Sequence, residues 1–178
     1  YQPENVWEAV AMPGSNTRFY ARDAGDALYR RSLYTFWKRA APPASMDILN
    51  APAREFSCLR RERTNTPLQA LVTLNDPQFI EAARALAQAA LKAAADDAGR
   101  TSHLAARILA RPFTEKEAPV VAKSLAALRA HYAAKPADAK ALLAVGEFKA
   151  DPALAVPELA AWTMLCNQLL NLDEVLNK

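Results

Sequence analysis

The chain has 178 residues, with 40 alanines, 12 prolines, only 4 glycines, 2 histidines and 2 cysteines, and its 22 cations against 19 acids give a formal charge of +3. Two cysteines exclude a disulfide-dense scaffold, two histidines leave too few ligands for a His/Cys zinc site of the usual spacing, and the glycines lie too far apart for a G-x-G-x-x-G or P-loop phosphate cradle. The charge is small and mixed, so a pI near 9.0 is a weak argument for a polyanion partner.

A chain of this length buries roughly 70% of its unfolded surface, enough for a core that needs no metal. No apolar run approaches the roughly 20 residues of a membrane span, and no signal segment opens the chain. The first residue is Tyr1 rather than Met. We therefore expect one domain, residues 1–178, that is a mature or excised piece of a longer protein. Its front, 1–65, is irregular and rich in proline and aromatics, and its back, 66–178, is helical.

Residues 1–77 hold 7 of the 12 prolines but only 11 of the 40 alanines, together with most of the aromatics, Trp7, Phe19, Tyr20, Tyr29, Tyr34, Phe36, Trp37 and Phe56 among them. Proline removes a backbone donor and disfavours helix at the residue before it, so this part should hold short elements pinned by ring packing. Ser32–Trp37, dominated by β-branched and aromatic residues, reads as a strand or a helical turn. It is flanked by Arg30-Arg31 and Lys38-Arg39, rings interleaved with cations as in single-strand nucleic-acid binders. The same rings are the large apolar groups available for a front core, and we assign them to core packing, with no nucleic-acid partner. Ala41-Pro42-Pro43 and Ala51-Pro52 read as linkers around a short Met46–Leu49 piece.

The back starts its helices on caps. Thr66-Pro67-Leu68-Gln69 is a capping-box arrangement with proline at the first helical position, opening a helix to about Leu74. Asp76 caps a second helix at Pro77, with Phe79, Ala83, Leu86 and Ala90 on one face, until Asp96-Asp97-Ala98-Gly99 ends it. Thr101 or Ser102 opens a third helix carrying Leu104, Ile108 and Leu109. Thr114-Glu115-Lys116-Glu117 is another capping box, before a core stripe of Val121, Leu125, Leu128 and Tyr132. A weaker segment, Ala137–Val145, follows. A last helix from Pro157 turns Leu159, Trp162, Leu165, Cys166 and Leu169 inward and leaves Asn171–Lys178 as a tail. The fold class is mainly α: a small helical array whose irregular front has room for one or two short strands.

The sharpest local feature is Arg60-Arg61-Glu62-Arg63-Thr64-Asn65, with Arg54 and Glu55 upstream, placed immediately before a capped helix start. Four arginines against two glutamates in ten residues, followed by helix N-terminal N–H groups, suit a phosphate, sulfate or carboxylate. Arg54, Arg60, Arg61, Arg63 and Asn65 are the candidate anion contacts. In the alternative, the arginines fork onto Glu55, Glu62, Asp76 or carbonyls of the proline-rich segment. His103 and His131 fall on different helices in capping or surface positions. No nucleophile elbow, H-E-x-x-H or C-x-x-C pattern organises a catalytic or metal site. Cys58 and Cys166 permit one long-range disulfide, for which chain entropy gives about 4–5 kcal/mol, although Cys166 also reads as a buried free thiol. Neither carries a haem-attachment pattern.

The strings Leu28-Tyr29-Arg30-Arg31-Ser32-Leu33-Tyr34-Thr35-Phe36-Trp37-Lys38-Arg39, Arg60-Arg61-Glu62-Arg63-Thr64-Asn65-Thr66-Pro67-Leu68-Gln69-Ala70-Leu71 and Leu74-Asn75-Asp76-Pro77-Gln78-Phe79 resemble one known set. It is the planctomycete-specific domain of unknown function at the C-terminal end of large bacterial proteins whose N-terminal parts often carry a c-type cytochrome domain. Trp7-Glu8-Ala9-Val10, Trp162 and Leu169-Leu170-Asn171-Leu172-Asp173-Glu174 are similar to it as well. The resemblance implies an exported, periplasmic or cell-surface parent, with any haem upstream and no cofactor in this fragment. It supplies no activity. The expected function is a non-catalytic helical module that packs against the upstream domains of the same polypeptide. The alternative is binding or processing of an anionic polysaccharide through the arginine cluster.

Overall fold

The computed structural model describes residues 1–2 and 4–177. They form eight α-helices and three short 3-10 turns, and among them there is no strand, only an isolated antiparallel bridge between Lys38 and Ala41. The chain divides into two compact units, Tyr1–Val72 and Thr73–Lys178.

The first unit is built from 3-10 turns at Glu8–Val10, Gly25–Tyr29 and Ser32–Tyr34, a short helix α1 (Ala44–Ile48) and the first turns of α2 (Pro67–Asn75). Of the two readings of Ser32–Trp37, strand or helical turn, the structure has the turn, at Ser32–Tyr34. With no second strand beside it to complete a ladder, the backbone instead closes locally, the Tyr34 N–H donating to the Arg31 carbonyl at 2.9 Å and the Thr35 N–H to Ser32 at 3.1 Å. Only Trp7 and Ala41 represent this unit among the buried apolar residues. The Trp7 ring meets Tyr20 edge-on at 5.1 Å and Phe36 at 5.2 Å, with the Lys38 ammonium 5.4 Å from its centroid. Tyr20 and Trp37 are half-buried, but Phe19, Tyr29, Tyr34, Phe36 and Phe56 are exposed, which corrects the assignment of the front aromatics to a core.

The second unit is a helical array of α3 (Pro77–Ala93), α4 (Asp97–Ile108), α5 (Glu117–Ala134), α6 (Pro136–Leu143), α7 (Val156–Leu170) and α8 (Asp173–Leu176). Helix α7 is central and packs on α3, α5 and α6. Its buried residues run all round its circumference, Ala160, Ala161, Thr163 and Asn167 as well as the stripe of Leu159, Trp162, Leu165, Cys166 and Leu169, as expected of a helix enclosed by others. Alanines let the neighbours approach closely: Ala83, Ala87 and Ala90 of α3 and Ala160 and Ala161 of α7 are fully buried.

The caps fall as the sequence predicts. The Thr66 N–H donates to Gln69 Oε1 at 2.9 Å while the Gln69 N–H donates to Thr66 Oγ1 at 3.3 Å. Thr114 and Glu117 make the same reciprocal pair at 2.8 and 3.3 Å, and the Gln78 N–H donates to Asp76 Oδ1 at 2.9 Å. Val121, Leu125 and Tyr132 are buried on α5.

Two boundaries differ. Asp96 to Gly99 does not end α3, which stops at Ala93, but opens α4, with Asp96 Oδ2 accepting from the Gly99 N–H at 3.2 Å. Gly99 is there for space, since a Cβ on it would lie 2.7 Å from Ala94 Cβ. The expected tail contains α8. On α3 the buried stripe is Ile80, Ala83, Ala87 and Ala90, with the expected Leu86 partly buried against the same core and Phe79 half-buried. Glu81, Arg84 and Gln88 are buried along a neighbouring line.

Those three polar side chains hold an irregular segment. Arg84 donates to the Leu143 and Val145 carbonyls at 3.2 and 2.9 Å and also to the Phe148 carbonyl. The Phe148 N–H donates to Glu81 Oε1 at 2.8 Å, and the Asp151 N–H to Gln88 Oε1 at 2.5 Å. Buried backbone groups outside regular structure need such partners. Gly146 lies within the same segment at φ +79°, where a Cβ would come within 2.1 Å of Glu81 Oε1. Only glycine fits there.

Candidate functional site

The arginine cluster lies in the first unit, in the non-helical stretch that leads into α2. Arg54, Arg60, Arg61, Arg63 and Asn65 are all exposed. Arg54 adopts φ +64°, a conformation costly to a side chain with a Cβ, and its guanidinium lies 5.0 Å from the Trp37 ring centroid. Among the described residues Arg60, Arg61 and Arg63 form no ion pair. Glu55, one acid expected to absorb them, pairs instead with Arg39 at 2.5 Å. Nor does this stretch take the Asp76 carboxylate out of its own cap.

The threonine and glutamine beside the cluster build the turn. Thr64 Oγ1 accepts from Asn50 Nδ2 at 2.6 Å and from Gln69 Nε2 at 2.7 Å, and Gln69 Nε2 also donates to the Ile48 carbonyl at 3.0 Å. These bonds tie α1 to the start of α2. They also alter what the helix end offers an anion. Pro67 has no N–H, the Gln69 N–H is taken by Thr66 Oγ1 and the Ala70 N–H by the Thr66 carbonyl at 3.1 Å. That leaves the Leu68 N–H of the first turn, so an anion would meet chiefly the arginines.

A second feature of the first unit is the stretch of rings and cations that the sequence reading assigns to core packing: Tyr29, Leu33, Tyr34 and Phe36 are exposed, next to Arg30 and Arg31. The signal was present, because the stretch of rings and cations has only α1 and 3-10 turns near it in sequence and no long amphipathic element to cover it.

The second unit carries its charges in paired networks. Arg129 makes two hydrogen bonds to Asp97, at 2.5 and 2.8 Å, and two to Glu158, at 2.9 and 2.5 Å. Glu158 Oε1 accepts from Trp162 Nε1 at 2.7 Å, and the Arg100 and Arg129 guanidinium carbons each lie 5.8 Å from the Trp162 ring. Hydrogen bonding from Arg129 holds both carboxyls below their ordinary range. Likewise Arg111 bridges Glu117 and Glu174, and Glu117 is held down to about 2, chiefly by Arg111 and then by the Thr114 N–H. Arg129 stands far in sequence from Asp97 and Glu158, as Arg111 does from Glu174, so no local pattern announces those pairs. They join helix ends and present no open pair for acid–base chemistry.

The remaining candidates are dispersed. His103 lies within α4, and His131 Nε2 is 3.7 Å from Asp138 Oδ2 at the end of α5. Both cysteines are free, Cys58 exposed and Cys166 buried, so the permitted disulfide is not formed. Burial pushes the Cys166 thiol far above its ordinary value, and it stays neutral. Among the described residues no group of three His, Cys, Asp or Glu side chains is placed to hold a metal, and no helix is long and apolar enough to cross a membrane.

No curated protein and no solved structure matches the chain. One protein-family profile does, over residues 1–125. The matched part takes in Trp7–Val10 and the three motif strings around Tyr29, Arg60 and Asp76, and stops before Trp162. The chain thus belongs to the family described as PSD1, protein of unknown function (DUF1553).

Proposed function

We propose that this chain is a non-catalytic helical interaction module of a larger exported, redox-associated bacterial protein, and that its first unit docks on the upstream domains of the same polypeptide. The observation carrying this reading is the burial pattern of Tyr1–Val72, where Phe19, Tyr29, Leu33, Tyr34, Phe36, Phe56 and Leu59 are all exposed. So many large apolar groups facing water in so short a segment mark an interaction surface. Export and redox company rest on the resemblance of the motif strings. Hydrogen exchange on this chain alone and within the intact polypeptide tests the reading. Slower exchange across residues 29–36 in the intact protein is expected, and identical exchange in both overturns it.

A second reading is binding or processing of an anionic polysaccharide at Arg54, Arg60, Arg61, Arg63 and Asn65. It is favoured by the exposure of Arg60, Arg61 and Arg63, which have no acid partner among the described residues. Calorimetry with sulfated oligosaccharides checks it: heat at low salt that fades at high salt supports the site, and no heat at low salt removes it.

A further inference from the structure

The excess charge of the protein lies in its first unit, which has ten cations against seven acids, whereas residues 73–178 have twelve of each. Within that unit, Ala27 to Met46 contains no acid at all and four cations, Arg30, Arg31, Lys38 and Arg39. Two of these are engaged internally: Arg39 pairs with Glu55 at 2.5 Å, and Lys38 donates to the Thr17 carbonyl at 3.0 Å. Arg30 and Arg31 are exposed and meet no acid among the described residues.

Beside them Leu33 is 76% exposed, Tyr34 68% and Phe36 57%. The presentation is braced from behind. The 3-10 turn at Ser32–Tyr34 is closed by two backbone hydrogen bonds, Phe36 leans on buried Trp7, and Trp37 lies under the Arg54 guanidinium. Side chains at 37 and 38 therefore serve the unit, while those at 30, 31, 33 and 34 face outward. Tyrosine and arginine on a braced turn are residue types enriched at protein interfaces.

We propose that Tyr29–Phe36 is the docking contact, and that its partner is an acidic protein surface on the upstream region. Carboxylates there receive Arg30 and Arg31, and an apolar depression receives Leu33 and Tyr34. This rests on the docking reading above and adds the chemistry of the partner. Charge complementarity selects the acidic surface, since two unpaired guanidinium groups are desolvated favourably only against fixed acceptors. The backbone selects protein over hydrocarbon. Thr35 to Ala41 is non-helical with a single bridge, so its peptide groups require polar partners that a bilayer interior lacks.

The test is binding of the 178-residue chain to the separately expressed upstream region at low and raised ionic strength. Arg30→Glu with Arg31→Glu should weaken binding about tenfold or more and abolish its salt dependence. Leu33→Ser should weaken it about tenfold while leaving the salt dependence in place. Both variants should keep the wild-type helical signal, the positions being exposed. Wild-type binding unchanged by either variant overturns the proposal and leaves the docking reading standing, whereas no wild-type binding overturns both. A concentration-dependent dimer in the absence of the upstream region, or sedimentation with phosphatidylglycerol vesicles in preference to that region, assigns the segment to a second copy or to lipid and also overturns it.

Discussion

Trp162 in the second unit is fully buried, its indole N–H is taken by Glu158 and an arginine lies near its ring on each of two helices. Trp7 in the first unit is buried by two rings and a lysine, while Phe19, Tyr29, Leu33, Tyr34, Phe36, Phe56 and Leu59 stay in water. The two units draw on the same residue types and differ in backbone. Long capped helices with alanine on their inner faces stack into layers, so each large side chain finds cover from a neighbouring helix. A proline-broken backbone of 3-10 turns makes few layers, and its rings can cover one tryptophan but not one another. Stability should therefore reside in Thr73–Lys178, and recognition in Tyr1–Val72.

The largest effect should come from the interior of the second unit. Arg84→Met would leave the Leu143, Val145 and Phe148 carbonyls without their donor and should cost about 3–5 kcal/mol. Trp162→Ala should cost a similar 3–5 kcal/mol, roughly the loss seen for a buried aromatic. In urea titrations, Leu33→Ser should by contrast fall within about 0.5 kcal/mol of wild type, as surface substitutions do. A Leu33→Ser loss as large as that of Trp162→Ala would break the division between the units.

Next in size is Gly146→Ala. A left-handed backbone costs a side chain roughly 1–2 kcal/mol, and here the new methyl also meets Glu81. Thermal unfolding should show a clear loss, and an unchanged midpoint would mean that the Leu143–Asp151 segment does not depend on Glu81.

How far this was readable in advance depended on the range of the interaction. The Thr66–Gln69 and Thr114–Glu117 boxes and the Asp76 cap involve residues two or three apart, and each bond was legible as spelling. The α7 core residues were equally plain from period. Gly99 misled because glycine near acids fits a helix end as well as a helix start, and the tight approach of Ala94 that decides the matter is invisible in sequence. Glu81, Arg84 and Gln88 were missed for a related reason: a buried polar line follows the same spacing as an apolar one, and its partners lie about sixty residues on. At the candidate site, sequence named the arginines of the cluster but not their exposure. It assigned the aromatic run to a core that the first unit is unable to build.

A smaller effect is the response to acid. Glu117 is held at about 2 against an ordinary 4.5, and Asp97 and Glu158 are lowered by Arg129. A carboxyl whose folded value lies below its unfolded one contributes stability that is complete above the unfolded value and is lost as pH falls through the folded one. The denaturation midpoint should thus decline between about pH 4.5 and 2, and Arg129→Gln should flatten the part due to Asp97 and Glu158. Because these groups lie in the second unit, the decline should track loss of helix signal. A midpoint independent of pH across that range would show that the networks contribute nothing.

The smallest perturbation is chemical labelling of the two thiols, one in each unit. Cys58 is exposed, its Sγ donating weakly to the Arg60 carbonyl at 3.3 Å, while Cys166 is enclosed in α7 and held neutral by burial. Thiolate is the reactive form, so burial suppresses reaction twice, by blocking access and by raising the ionisation value. A thiol reagent should modify one cysteine of the native protein and two after denaturation. Because only the opening of α7 frees Cys166, its labelling rate in the native state also measures the stability of the second unit. In Arg84→Met that rate should rise while the Cys58 rate stays as it was. Equal acceleration at both cysteines would mean that the two units open together, and the separation of stability from recognition would fail.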